Sequence, residues 1–127
     1  MFRPYVALAS CFGFPAVLYF AAMNLKDGSD IVADLTTIGR KTGVPRTVEL
    51  RFLYFQGNFY ATSNRIAGKH WCLNMIKTAA VEITAKGEKM SCTAKQVTDE
   101  ELRKRILTMR DNPPQLERVV FEIKPVA

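Results

Sequence analysis

At 127 residues the chain is one domain with a modest core, and its hydrophobic share of 48% and charged share of 24% are those of an ordinary globular protein. The net charge of +6 is unevenly placed: Arg40, Lys41, Arg46, Arg51, Arg65 and Lys69 flank two predicted loops and are opposed there only by Glu49, which suits an anionic small molecule. No long Lys/Arg run or aromatic-studded recognition motif is present, which sets nucleic acid aside, and Cys11, Cys72 and Cys92 are odd in number, far apart and without a C-x-x-C, which sets aside a disulfide frame and a zinc site and points to free thiols in a reducing compartment.

Residues 5–25 carry no charge and are long enough for a membrane span, although Gly13 and Pro15 interrupt them. A secretory signal would need a better charged start and cleavage site, and Leu8-Ala-Ser-Cys11 has too few apolar residues before it for a lipoprotein box. The expected form is a helix over residues 15–25 that packs on the domain or lies on a membrane surface. This divides the chain into an apolar N-terminal segment, residues 1–30, and a folded domain, residues 31–127, with Lys26 to Asp30 as linker.

Ile31 to Ile38 reads as a strand of β-branched and apolar residues. Gly39 and Gly43 break it, with Pro45 just after, and a second strand runs from Thr47 to Phe55, with Val48, Leu50, Phe52 and Tyr54 on one face and Thr47, Glu49 and Arg51 on the other. Between them lies a loop bearing Arg40, Lys41, Thr42 and Arg46. Glycines let backbone N–H groups turn toward one point, and fixed cations and a hydroxyl around that point can hold a phosphate or a polycarboxylate. Gln56 to Asn58 is a hairpin turn, and Phe59 to Ser63 returns. A second loop leads to a short helix, His70 to Lys77, which places Trp71, Asn74 and Met75 at i, i+3 and i+4 on one face. Val81 to Ala85 and Lys89 to Gln96 form another hairpin. Thr98-Asp-Glu-Glu101 reads as a capping box opening a helix to Arg110 with Leu102, Ile106 and Met109 buried, ended by Asn112-Pro-Pro114. Arg118 to Pro125 is the last strand. The pattern alone is α+β, mainly β, and suits a small closed barrel.

The segment Thr36-Thr-Ile-Gly-Arg-Lys-Thr-Gly-Val-Pro-Arg46 resembles the T-T-x-G-R-K-[ST]-G-x-x-R signature of the deazaflavin-dependent nitroreductase family, and Trp71-Cys-Leu-Asn-Met75 resembles its W-x-x-N-L. The resemblance covers residues 34–125, with two departures: the His-Pro before the tryptophan is missing and the second loop has few glycines. It implies a split β-barrel of antiparallel strands with an N-terminal helix and two further helices, related to pyridoxine-phosphate oxidase. It further implies that Gly39, Arg40, Lys41, Thr42, Gly43 and Arg46 hold the anionic tail of the reduced deazaflavin coenzyme F-420. Thr62, Ser63 and Asn64, with Lys69, Trp71 and Asn74, would line the rest of that site. The activity so implied is hydride transfer to an apolar electrophile such as a quinone, an activated alkene or a nitro compound, in the cytoplasm or at the inner face of the membrane, with a homodimer as the common assembly of split barrels. Two other occupants of such a barrel stay open: FMN, whose single phosphate the same loop would take, and a fatty acid or haem in a non-catalytic binding module.

The lone histidine, His70, removes most hydrolytic schemes. A nucleophile–histidine pair would need Cys72 or Ser63 to face it, with nothing to orient the ring. Its ordinary reading is a half-exposed residue at a helix start. Tyr54, Tyr60 and Trp71 are expected to wall the pocket or simply to pack in the core, and no residue is marked as the proton donor. In hydride chemistry the coenzyme is the reactant, so few catalytic side chains are expected of the protein.

Overall fold

Period-two burial builds the first hairpin. In the computed structural model, which describes residues 25–85 and 87–126, Ala33, Leu35 and Thr37 of β1 (Asp30–Ile38) point inward while Val32 is exposed. β2 (Pro45–Phe55) pairs with the whole of β1, Asp30 opposite Leu53 and Ile38 opposite Pro45. From Thr47 to Arg51 its residues alternate as expected for a sheet with one wet face. From Phe52 onward the alternation is lost, because Leu53 and Phe55 on the outer face are buried as well. The turn to β3 (Asn58–Ser63) is two residues long, Gln56 and Gly57, with φ of +50° and +85°. Both dihedrals are positive, as a turn matching the twist of the strands requires.

β4 (Ala80–Ala85), β5 (Glu88–Gln96) and β6 (Val119–Pro125) complete a closed, wholly antiparallel barrel in the order β1-β2-β3-β6-β5-β4. β4 closes onto β1 through a short ladder from Asp34–Thr84 to Thr36–Glu82. The expected barrel is thus present, with two helices among the described residues: α1 (His70–Lys77) and α2 (Glu100–Arg110). The N-terminal helix expected over residues 15–25 falls almost wholly outside the described residues. Leu25 is in no helix and packs against the barrel core. Among the described residues no helix is long and apolar enough to cross a membrane.

Two apolar cores result. Leu35, Phe52, Phe59, Ala61, Ile83, Met90, Phe121 and Ile123 fill the barrel, and Cys72 and Met75 of α1 join them. Leu53, Phe55, Tyr60 and Val120 face outward and meet Ile106 and Leu107 of α2. Each fully buried phenylalanine or leucine contributes about 1.5–3 kcal/mol relative to exposure.

α2 departs from expectation in two ways. Its N-cap is Asp99, not Thr98; the carboxylate accepts from the backbone N–H of Glu101 at 3.0 Å and of Leu102 at 3.4 Å. An aspartate satisfies these orphan donors and adds a favourable charge at the helix N-terminus. Its buried stripe runs through Ile106 and Leu107, and Met109 is exposed. The side chains of Arg103 and Arg110 are 17% and 16% exposed and lie between Ile106 and Leu107 around the helix, so the covered face is turned away from Met109. Arg103 also donates to the carbonyls of Leu116 and Arg118 at 2.6 and 2.7 Å, fastening the segment that leads into β6.

Candidate functional site

The loop between β1 and β2 is closed by its own backbone. Gly39 N–H donates to Val44 O at 2.9 Å, Gly43 N–H to Gly39 O at 2.8 Å, and Val44 N–H to Thr42 Oγ1 at 3.2 Å. The two glycines are needed for different reasons. A Cβ at Gly39 would lie 2.9 Å from Val44 O and 3.0 Å from Thr42 Oγ1, so no side chain fits. Gly43 has open space but a φ of +75°, which disfavours any residue with a Cβ.

α1 then grips this loop. Asn74 is 3% exposed, and its Oδ1 accepts from both Arg40 N–H at 3.2 Å and Arg40 Nη1 at 3.1 Å. Its Nδ2 donates to Thr37 Oγ1 at 3.1 Å. Lys77, one turn further along, donates from Nζ to Arg40 O at 2.8 Å. Arg40 is thus held by its N–H, its C=O and its guanidinium, and its Nη1 also lies 3.4 Å from Nδ1 of His70.

The arrangement borders a cavity of about 650 Å³, lined from the hairpin by Thr37, Gly39, Arg40, Lys41, Thr42, Arg46, Thr47 and Val48, and from the second loop and α1 by Gly68, Lys69, His70, Trp71 and Asn74. That volume suits a small-molecule site. Four of the lining residues are Lys or Arg and none is Asp or Glu. Thr42 Oγ1 accepts from Val44 N–H, which leaves its proton free to donate. Trp71 forms one wall, its ring edge-on to Phe121 with centroids 6.1 Å apart. Four cations, one of them held by the protein, a spare hydroxyl and an indole wall fit an anionic tail joined to a flat ring, and so fit the expected coenzyme.

Of the residues expected to form the site, Gly39, Arg40, Lys41, Thr42, Arg46, Lys69, Trp71 and Asn74 come together around the cavity, and Gly43 shapes the loop from outside the lining. Thr62, Ser63 and Asn64 are not among the lining residues. Ser63 is buried with its Oγ donating to Arg65 O at 2.6 Å, Thr62 Oγ1 is buried with no hydrogen-bond partner among the described residues, and Asn64 is exposed. Nor do Tyr54 and Tyr60 wall the cavity. Tyr60 faces the outer core, its hydroxyl donating to Glu122 Oε2 at 3.1 Å. Burial, together with the neighbouring Glu122 carboxylate, raises its pKa. Tyr54 packs edge-on to Phe59 at 5.4 Å. Thr37, Thr47, Val48, Gly68 and His70 line the cavity without having been singled out for it; the hairpin register, Thr36 opposite Thr47 and Thr37 opposite Arg46, is the signal that would have found the threonines.

Thiol chemistry at Cys72 and Cys92 is also set aside by the structure. Burial pushes the Cys72 thiol up to about 11 and that of Cys92 to about 12, so both stay protonated at neutral pH. Among the described residues no group of three or more His, Cys, Asp or Glu could hold a metal ion.

Comparison with known proteins gives the same direction. The F420H(2)-dependent quinone reductase family matches residues 22–120. Solved structures with the same fold include a putative pyridoxamine 5′-phosphate oxidase from Listeria innocua, at 18% identity and a TM-score of 0.60 over 85% of this chain and 90% of that one. A FAD-binding protein from Mesorhizobium loti aligns at 20% identity and a TM-score of 0.54, over 76% of this chain and 81% of that one. A protein described as an F420 reductase aligns at 16% identity and a TM-score of 0.50, over 76% and 87%. These likenesses show the fold, and the family match covers most of the chain, including both the loop and α1. The chain belongs to the F420H(2)-dependent quinone reductase family and is an F-420-dependent oxidoreductase.

Proposed function

We propose that this enzyme passes a hydride from reduced F-420 to an apolar electrophile, a quinone before an activated alkene or a nitro compound, with the coenzyme tail seated on the β1–β2 loop. The observation that carries the reading is Arg40, clamped by Asn74 and Lys77 at the edge of a cavity bounded by further cations and no carboxylate. Reduced F-420 supplies the hydride, and the protein's part is to hold and orient. Arg40, Lys41, Arg46 and Lys69 offer charge to phosphate and carboxylates, and Thr42 offers a hydroxyl donor. Trp71 gives the flat ring system an apolar wall. The clamp on Arg40 means that little side-chain freedom is lost when the anion arrives, which favours affinity. Thr62, Ser63 and Asn64 lie outside the lining of this cavity.

The test is turnover. Purified protein is given reduced F-420 and a soluble quinone, and the return of oxidised-coenzyme fluorescence is followed. Oxidation that requires both protein and quinone, and that FMN at equal concentration does not suppress, is the expected result. No acceleration over the uncatalysed reaction with any of the three acceptor classes would overturn the reading.

A further inference from the structure

We infer that His70 is an anion-binding residue of this cavity and takes up a proton when the anion binds, an inference that rests on the reading of the cavity as the seat of an anionic coenzyme tail. His70 opens α1 and lines the cavity, with Nδ1 3.4 Å from Nη1 of Arg40. A guanidinium has only donors, so a hydrogen bond across that contact needs Nδ1 as its acceptor. A proton added at Nδ1 would break the contact and set two cations side by side.

The surrounding charges all have the same sign. The hairpin loop contributes Arg40, Lys41 and Arg46. Lys69 precedes His70 directly, and Lys77 stands at the other end of α1 with its ammonium on Arg40 O. No Asp or Glu lines the cavity to offset them. A bound phosphate or carboxylate reverses this balance, because imidazolium and guanidinium can then both donate to the same anion. Anion and proton therefore bind with positive coupling, and by reciprocity the anion binds more tightly as the pH falls through the range in which imidazoles titrate. The site is open to solvent, which screens the coupling and keeps it moderate. His70 is thus a second arm of the clamp that holds Arg40, and one whose charge depends on the ligand.

The chain contains a single histidine, so its ring resonances are read by NMR without ambiguity. The ring is titrated with pH in the protein alone and in protein saturated with F-420. Its midpoint is expected to move up by about 0.5–1 pH unit on saturation, which makes binding tighter at pH 6 than at pH 8.5 by a factor approaching about three to ten. In His70→Asn the amide oxygen replaces Nδ1 as an acceptor for Arg40 but takes no proton. The gain in affinity between pH 8.5 and pH 6 is expected to be lost in this variant. Any proton exchange of the coenzyme's own is common to both proteins and cancels in the comparison. A midpoint that stays put or falls while F-420 binds overturns the role of His70 and leaves the coenzyme reading intact. No binding of F-420 by either protein at any pH overturns the coenzyme reading, and this inference with it.

Discussion

Asn74 does more with one amide than its sequence context suggests. As the fourth residue of Trp71-Cys-Leu-Asn it was expected to touch the coenzyme. It borders the cavity, yet its polar atoms are spent on protein: Oδ1 on Arg40 twice and Nδ2 on Thr37, which is itself 1% exposed. Its role is to hold Arg40 in place. Replacing Asn74 by Leu leaves the Arg40 N–H and the Thr37 hydroxyl without their partner, and a buried polar group so stranded costs about 1–3 kcal/mol. Urea unfolding of Asn74→Leu should show that loss, and F-420 affinity should fall with it by about tenfold or more. A variant with unchanged stability and affinity would mean that the loop is held by other means.

Helices α1 and α2 divide the work of the fold. α1 enters the barrel core through Cys72 and Met75 and presents its other face to the hairpin loop, so it belongs to the site. α2 seals the outer face of β2, β3 and β6 and contributes nothing to the cavity lining. Removing the cap of α2 with Asp99→Ala should therefore cost about 1 kcal/mol of stability in denaturant unfolding and leave the F-420 dissociation constant unchanged. A large loss of affinity would show that α2 supports the site after all. α2 also shows where sequence reading stops. The existence of the helix was legible from its capping residues and apolar spacing. Its orientation was not, because Arg103 and Arg110 lie on the covered face, where a hydropathy pattern expects apolar residues. The bounds of α1, by contrast, were legible from His70 to Lys77, and so were the strands to within a residue or two, since alternation and turn residues there agree with the tertiary structure.

Across the whole molecule the closed barrel brings Gly39–Arg46 against His70–Asn74, segments about thirty residues apart in sequence. Which residues of the loop and of α1 carry charge was plain from the chain. That Asn74 and His70 converge on Arg40 was not, because the convergence depends on how α1 enters the barrel end. Nor could the sequence show that the end of β3 stays out of the cavity, since Thr62 and Ser63 alternate across a strand whose neighbours, β2 and β6, are set by topology. The account as a whole rests on the loop cations holding the coenzyme. Its sharpest check is an equilibrium titration with F-420, followed by the coenzyme's own fluorescence, on wild type and on Arg40→Ala/Lys41→Ala, with circular dichroism confirming that both are folded. The wild type should bind at tens of micromolar or below, and the double variant should bind about thirtyfold more weakly or worse, as expected for the loss of charged hydrogen bonds. Equal binding by a folded double variant would contradict the account.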